Sequence, residues 1–149
     1  SAIEADRRAR LLLARFGLGG TERLWPAELS GGMRQRVAFL RTFLTPAPVL
    51  LLDEPFGALD ALTRRQMQEW LQEVLLVARD EGDARTVILV THDVEEALLL
   101  SDRVLVLSPK PGRVVADEVV DFTRPRASDL IADPAFVQQR ARLLAALGA

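Results

Sequence analysis

Two adjacent carboxylates, Asp53 and Glu54, stand at the end of an apolar run, Val49-Leu50-Leu51-Leu52, and Pro55 stops the run. Neighbours on a strand point to opposite sides, so the two acids cannot play the same part. One could hold a hydrated Mg²⁺, which takes few carboxylates and fills its shell with water and phosphate oxygens. The other, beside an apolar wall, could polarise a water as a general base. The plainer alternative is a strand end carrying two solvated acids. His92 is the only histidine, and it follows a second apolar run, Thr86 to Thr91. Adjacent parallel strands end on one edge, where open α/β sheets bind ligands. His92 could therefore come near Glu54 and donate a hydrogen bond to a phosphate or to the attacking water. Alternatively it caps the helix that follows or packs at the sheet edge.

A third candidate is Ser30-Gly31-Gly32, which precedes a helical pattern. Backbone N–H groups converge at a helix start, glycines allow close approach and the helix dipole favours negative charge. An ordinary N-cap with a flexible entry explains the same residues. Arg34 and Arg36 read as a solvated helix face, and Trp25 and Trp70 as packing residues.

The elements that must position these groups follow from periodicity. Glu4 to Phe16 has helical composition, with Leu11, Leu12 and Leu13 on the inner side and Gly17, Gly19 and Gly20 as terminators. Thr21 to Glu28 is a connector. Arg34 to Leu44 repeats Val37, Leu40, Phe43 and Leu44 at helical spacing, and 45–48 breaks that helix with two prolines. Val49 to Pro55 and Thr86 to Thr91 read as strands buried on both faces of a parallel sheet. Asp60 could cap a long helix reaching about Arg79, and a polar turn spans 80–84. Val94 to Leu100 is helical. Arg103 to Leu107 and Arg113 to Val120 flank Pro109-Lys110-Pro111-Gly112 as a hairpin. Residues 125–134 are irregular, and Phe136 to Leu147 is an amphipathic helix. The alternation of strands and helices implies a parallel sheet with right-handed crossovers.

Bulk properties narrow the classes. The chain has 149 residues, 49% apolar and 27% charged, which describes a globular domain with a real core. A net charge of -2 and the lack of a dense basic cluster argue against nucleic acid. Without cysteine there is no disulfide and no thiolate metal site. No apolar run approaches the ~18 residues of a membrane-spanning helix, and the start lacks a signal-peptide pattern.

Taken together, four segments resemble the ATP-binding cassette (ABC) ATPases. Leu29-Ser30-Gly31-Gly32-Met33-Arg34-Gln35-Arg36-Val37 resembles their signature motif. Val49 to Pro55 resembles their Walker B strand with its catalytic glutamate. Gly57-Ala58-Leu59-Asp60 resembles the D-loop, and Val90-Thr91-His92-Asp93 the switch-histidine segment. The wording at Met33 and at 55–64 resembles importer ATPases of the nitrate, sulfonate, taurine and thiamine-precursor group, rather than P-loop ATPases of the DNA-repair type. The resemblance implies an α/β P-loop NTPase (RecA-like) fold, with a partly parallel sheet flanked by helices. Residues 1–45 would be the end of the helical subdomain, and 46–149 part of the ATPase core. It implies ATP and Mg²⁺ as cofactors. Asp53 would hold Mg²⁺ through water, Glu54 would be the base and His92 would contact the γ-phosphate. Ser30, Gly31, Gly32 and Met33 would face ATP held by an opposite subunit, and Asp60 would lie at the interface of a head-to-tail dimer. The implied partners are a second ATPase subunit, transmembrane permease subunits and, indirectly, a solute-binding protein. The implied location is peripheral, on the cytoplasmic face of the plasma membrane.

One departure is large: no G-x-x-x-x-G-K-[ST] loop occurs, and the only lysine, Lys110, lies between two prolines. The Q-loop is missing as well. The expectation is therefore a C-terminal fragment of a longer ATPase, inactive alone. The alternative is a non-catalytic interaction module that supplies a signature loop to another ATPase.

Overall fold

The computed structural model describes residues 2–45, 47–80, 82 and 85–148, without the side chains of residues 2, 8, 15, 43 and 44. The chain forms two compact units, Ser1–Leu50 and Leu51–Ala149.

The first unit holds helices α1 (Ala2–Arg15) and α2 (Gly31–Leu44), with a single 3₁₀ turn at Pro26–Glu28 between them. Helix α1 ends in a Schellman motif. Gly17 has φ +70°, its N–H bonds the Ala14 carbonyl, and the Leu18 N–H reaches back to Leu13. Leu18, just past the glycine, is fully buried with Phe16, Leu29, Phe39 and Leu40. The leucine triplet is only partly inward, since Leu11 is exposed and Leu12 and Leu13 are half-buried. Trp25 is 76% exposed, which overturns its reading as a packing residue. It occupies the cap position of a one-turn helix that has no buried residue of its own. In α2, Leu40 faces the core and Val37 is half-buried; Phe39 is an additional buried residue, and the Phe43 and Leu44 side chains lie outside the described set.

Strand β1 (Val49–Asp53) leads into the second unit, which continues with α3 (Ala61–Asp80), β2 (Thr86–Val90) and α4 (Val94–Leu100). The hairpin strands β3 (Arg103–Leu107) and β4 (Val114–Val119) follow, then a 3₁₀ turn at Ser128–Ala132 and α5 (Pro134–Leu147). The expected turn at 80–84 lies largely outside the described residues. The strands form two two-stranded sheets, β1 with β2 and β3 with β4. The residue after β1 donates its N–H to the last residue of β2, Glu54 to the Val90 carbonyl at 2.9 Å. The two strands therefore end side by side and run parallel.

The expectation of strands buried on both faces is not met. In β1 only Leu50 and Leu52 are buried, while Val49 and Leu51 are 49% and 63% exposed. Ile88 and Val90 of β2 are exposed as well. Among the described residues, the side of this sheet that carries Leu51 is left largely uncovered. The apolar composition of β1 thus reflects a strand suited to double burial rather than one doubly buried here.

Hairpin β3–β4 is antiparallel, with Arg103 opposite Val119, Leu105 opposite Asp117 and a bulge between Val106 and Leu107. It forms its own sheet instead of continuing the first. Val106 of β3 and Val120, the residue after β4, are buried, and α5 packs against both strands and against α4. Helix α5 is capped by Asp133, has Pro134 at its first position and ends at Gly148 with φ +81°. Its Phe136 and Leu143 are fully buried, and Phe136 meets the ring of Phe122 at 5.7 Å.

A buried arginine binds this unit together. The Arg126 guanidinium donates to the carbonyls of Leu98, Ser101, Val120 and Phe122. Its backbone N–H and C=O are both met by the Gln72 side-chain amide of α3. Burial holds the Arg126 pKa below the ordinary arginine value, opposed by the charges of Asp102 and Asp121.

Candidate functional site

The parallel pairing of β1 and β2 brings their chain exits together. Glu54 leaves β1 with φ +44°, a left-handed conformation that only the turn after the strand can require. For a non-glycine residue this costs about 1–3 kcal/mol and persists where surrounding contacts over-determine it. Those contacts are visible. The Glu54 N–H is fixed to Val90, its carbonyl accepts from Gly57 at 3.2 Å, and Phe56 is buried directly behind the turn. Phe56 is an anchor that periodicity did not single out, because it lies in a loop.

The turn takes Glu54 out of the strand's alternation and sets its carboxylate against His92. Nδ1 of His92 lies 2.8 Å from both Oε1 and Oε2 of Glu54. The pair is open to solvent, with side-chain exposures of 78% for His92 and 43% for Glu54. The hydrogen bond to Glu54, followed by the charge of that carboxylate, raises the His92 pKa above its ordinary 6.5. Asp53 is the last residue of β1 and is exposed.

Asp60 follows the turn and caps α3. Its Oδ1 accepts from the N–H groups of Leu62 and Thr63 at 3.1 and 3.0 Å. The hydrogen bond to the Thr63 side chain, then that to its backbone, lowers the Asp60 pKa. A Cβ added at Gly57 would meet only ordinary contacts, at 3.6 Å from the Glu54 carbonyl oxygen.

The segment Thr91-His92-Asp93 is held by two residues outside the expected set. The Thr91 hydroxyl donates to Glu96 Oε2 at 2.6 Å and accepts from the Asp93 N–H at 3.0 Å. Asp93 in turn caps α4 through the N–H groups of Glu95 and Glu96. The sequence signal was available: Asp93-x-x-Glu96 is a capping-box spacing. The geometry differs from a simple box, since Thr91 stands between the glutamate and the Asp93 N–H.

In the first unit, Ser30 is the N-cap of α2, its Oγ accepting from the Met33 N–H at 3.2 Å. The Arg34 N–H bonds the Ser30 carbonyl. Gly31 and Gly32 occupy the first turn, whose N–H groups have no intrahelical acceptor. A Cβ at Gly31 would meet nothing within 4 Å. The structure thus gathers Asp53, Glu54, Asp60 and His92 in one unit, and Ser30 to Met33 in the other. Arg34 is exposed and donates to the Leu29 carbonyl, whereas Arg36, expected on the same solvated face, is half-buried with its Nε out of solvent.

The fold is a partial α/β domain that carries two acids and a histidine at the shared end of a parallel strand pair. A family model described as ABC transporter matches residues 3–57. Among curated relatives, the aliphatic sulfonates import ATP-binding protein SsuB 2 of Nocardia farcinica is 51% identical over 99% of this chain and 58% of its own length. SsuB of Delftia acidovorans is 50% identical over 94% of this chain and 54% of its own. The chain therefore spans little more than half the length of the curated relatives it matches. Among solved structures, the dimeric post-hydrolysis state of the ATP-binding cassette MJ0796 bound to ADP and Pi superposes with a TM-score of 0.59. It is 32% identical, covering 83% of this chain and 50% of that one. The ATP-binding cassette MJ1267, 19% identical with a TM-score of 0.63, has the same fold. The chain is thus similar in sequence to ATP-binding subunits of ABC importers and in fold to ATP-binding cassettes.

Proposed function

We propose that these residues form part of the ATP-hydrolysing subunit of a bacterial importer, one that drives uptake of a small anionic solute of the aliphatic sulfonate class through a membrane permease. The observation that carries this reading is the contact of His92 Nδ1 with both carboxylate oxygens of Glu54, at the shared end of two parallel strands. Glu54 acts as the base. Its carboxylate orients a water and takes its proton as the oxygen attacks the γ-phosphorus and the bond to the ADP oxygen breaks. The imidazolium form, which the Glu54 carboxylate favours, donates Nδ1–H to that carboxylate and Nε2–H to a phosphate oxygen.

The residues fit a magnesium ion of the hydrated kind. Among the described residues no group of three or more acids and histidines could cage a metal, but Mg²⁺ needs only one or two carboxylates when phosphates complete its shell. Asp53, exposed at the end of β1, would hold it through water. Bound Mg²⁺ would neutralise charge building on the phosphates.

Ser30, Gly31, Gly32 and Met33 are the counterpart surface for nucleotide on a second ATPase subunit. This chain's own packing does not demand a glycine at Gly31, because the space there is open. Close approach by a ligand does. Asp60 lies in the D-loop at the dimer interface. The helical subdomain would be residues 1–45 and the ATPase core 46–149. The subunit would sit peripherally on the cytoplasmic side of the membrane; among the described residues no helix is long and apolar enough to cross one.

The test is a chimera joining this chain to the unmatched portion of the Nocardia farcinica relative. It should hydrolyse ATP, and Glu54→Gln should cut turnover roughly a hundredfold to ten-thousandfold while nucleotide-driven dimerisation persists. Undiminished turnover in that variant would refute the assignment of Glu54. Isothermal titration of the 149-residue chain with Mg-ATP should show no tight binding, since it has no lysine-bearing phosphate loop.

A further inference from the structure

Glu96 is a buried acid, 5% exposed, for which the proposed reaction has no use. It lies in the first turn of α4, with one carboxylate oxygen bound by the Thr91 hydroxyl. Its other oxygen, Oε1, has no hydrogen-bond partner among the described residues. Burying a carboxylate in this way is costly, and helix capping does not require it, since Asp93 already caps α4. Burial raises the Glu96 pKa, the Thr91 hydrogen bond opposes that shift, and the charges of Asp93, Arg64 and Glu54 act on it from three elements. What the carboxylate does secure is Thr91. Thr91 in turn grips the Asp93 N–H, so both residues flanking His92 are tied to the start of α4.

We propose that Glu96 is a positioning residue: through the Thr91 hydroxyl it fixes the segment Thr91–Asp93 in the one conformation that presents His92 Nδ1 to Glu54. This rests on the ATPase reading for its purpose, though not for its geometry. His92 is 78% exposed on its side chain, so packing does little to orient it. Its placement therefore depends on its backbone. A backbone anchored on both sides of one residue leaves that residue few conformations, so the exposed ring meets its partner without a prior search.

Because His92 is the only histidine of the chain, its ring is a single reporter in ¹H–¹⁵N NMR spectra of the 149-residue protein. In the wild type the neutral ring should carry its proton on Nδ1, donated to Glu54, and titrate above the ordinary histidine range. Thr91→Val should move the proton to Nε2 and abolish the upward shift. Thr91→Ser, which keeps the hydroxyl, should retain both. Glu96→Ala should behave as Thr91→Val, and Glu96→Gln, which keeps an acceptor, as Thr91→Ser. If Glu96→Ala does not fold, the Thr91 pair decides the matter. A Thr91→Val protein that melts earlier but keeps the wild-type tautomer and midpoint would reduce Glu96 to a structural residue and overturn the proposal.

In the active chimera, Thr91→Val should lower kcat roughly tenfold with KM little changed, and Thr91→Ser should restore it. Wild-type kcat in the Thr91→Val chimera would equally overturn the proposal. A wild-type chimera without ATPase activity would instead refute the ATPase reading, leaving the NMR result intact.

Discussion

Glu54 concentrates the unusual physics of this protein in one residue. It combines a left-handed backbone, a carboxylate and the chain's only imidazole as partner. The His92 pKa is raised, so the pair's contribution to folding is present in full below the ordinary value of 6.5. It is lost as pH rises through the elevated value. Both groups are exposed, so the effect is small and screened by salt. The expected outcome is a His92 midpoint above that of Glu54→Gln at low ionic strength, with the gap closing in 1 M salt, where screening acts over about 3 Å. NMR titration of the two proteins checks this; equal midpoints at low salt would show that the pair does not form in solution. At Gly57, by contrast, an added methyl meets only ordinary contacts. Gly57→Ala should leave the melting temperature within experimental error, so any loss of turnover in the chimera would report an external contact.

Helix ends decide more of this fold than helix propensity does. Gly17 is favoured as glycine by its φ of +70°, and an added Cβ would also press on the Arg36 guanidinium at 3.1 Å. Gly17→Ala should destabilise the chain by about 1 kcal/mol or more, read from denaturant midpoints at constant m. Gly31→Ala, where φ is ordinary and the space open, should cost far less. The heaviest single loss is expected at Arg126. Its guanidinium satisfies four carbonyls at the junction of α4, the end of β4 and the segment before α5. Arg126→Leu leaves those acceptors buried, at a cost on the order of 3 kcal/mol or more. Element by element, much of this architecture was legible: α4, the hairpin, the caps at Ser30 and Asp60, and the glycine stops. Caps and stops are local, set by hydrogen bonds within a few residues of the chain. Arg126 was not legible, because its partners lie 4 to 54 residues away along the chain.

At the scale of the molecule, the apolar face of the β1–β2 sheet is open at Leu51, Ile88 and Val90, and the outer face of the hairpin at Leu105, Leu107 and Val119. Faces of this kind, when open to water, invite pairing. The 149-residue protein should therefore self-associate with rising concentration, as read by multi-angle light scattering. A strict monomer across that range would show that these faces are tolerated in water. The same faces explain why burial was overestimated. An apolar strand reports the environment it is suited to, whereas its actual cover depends on which other elements are present.

The division between the two levels of information is physical. Residue order alone established the motif series, the element types, the helix boundaries and the chemistry available at Asp53, Glu54 and His92, all of which depend on neighbours in the chain. Tertiary structure decided which of these groups meet. It set His92 on Glu54, placed Thr91 and Glu96 behind the histidine, and buried Arg126 among carbonyls. Such contacts join residues distant in the chain, and their geometry depends on strand pairing and on one strained turn. No pattern of residue types within a short window encodes either.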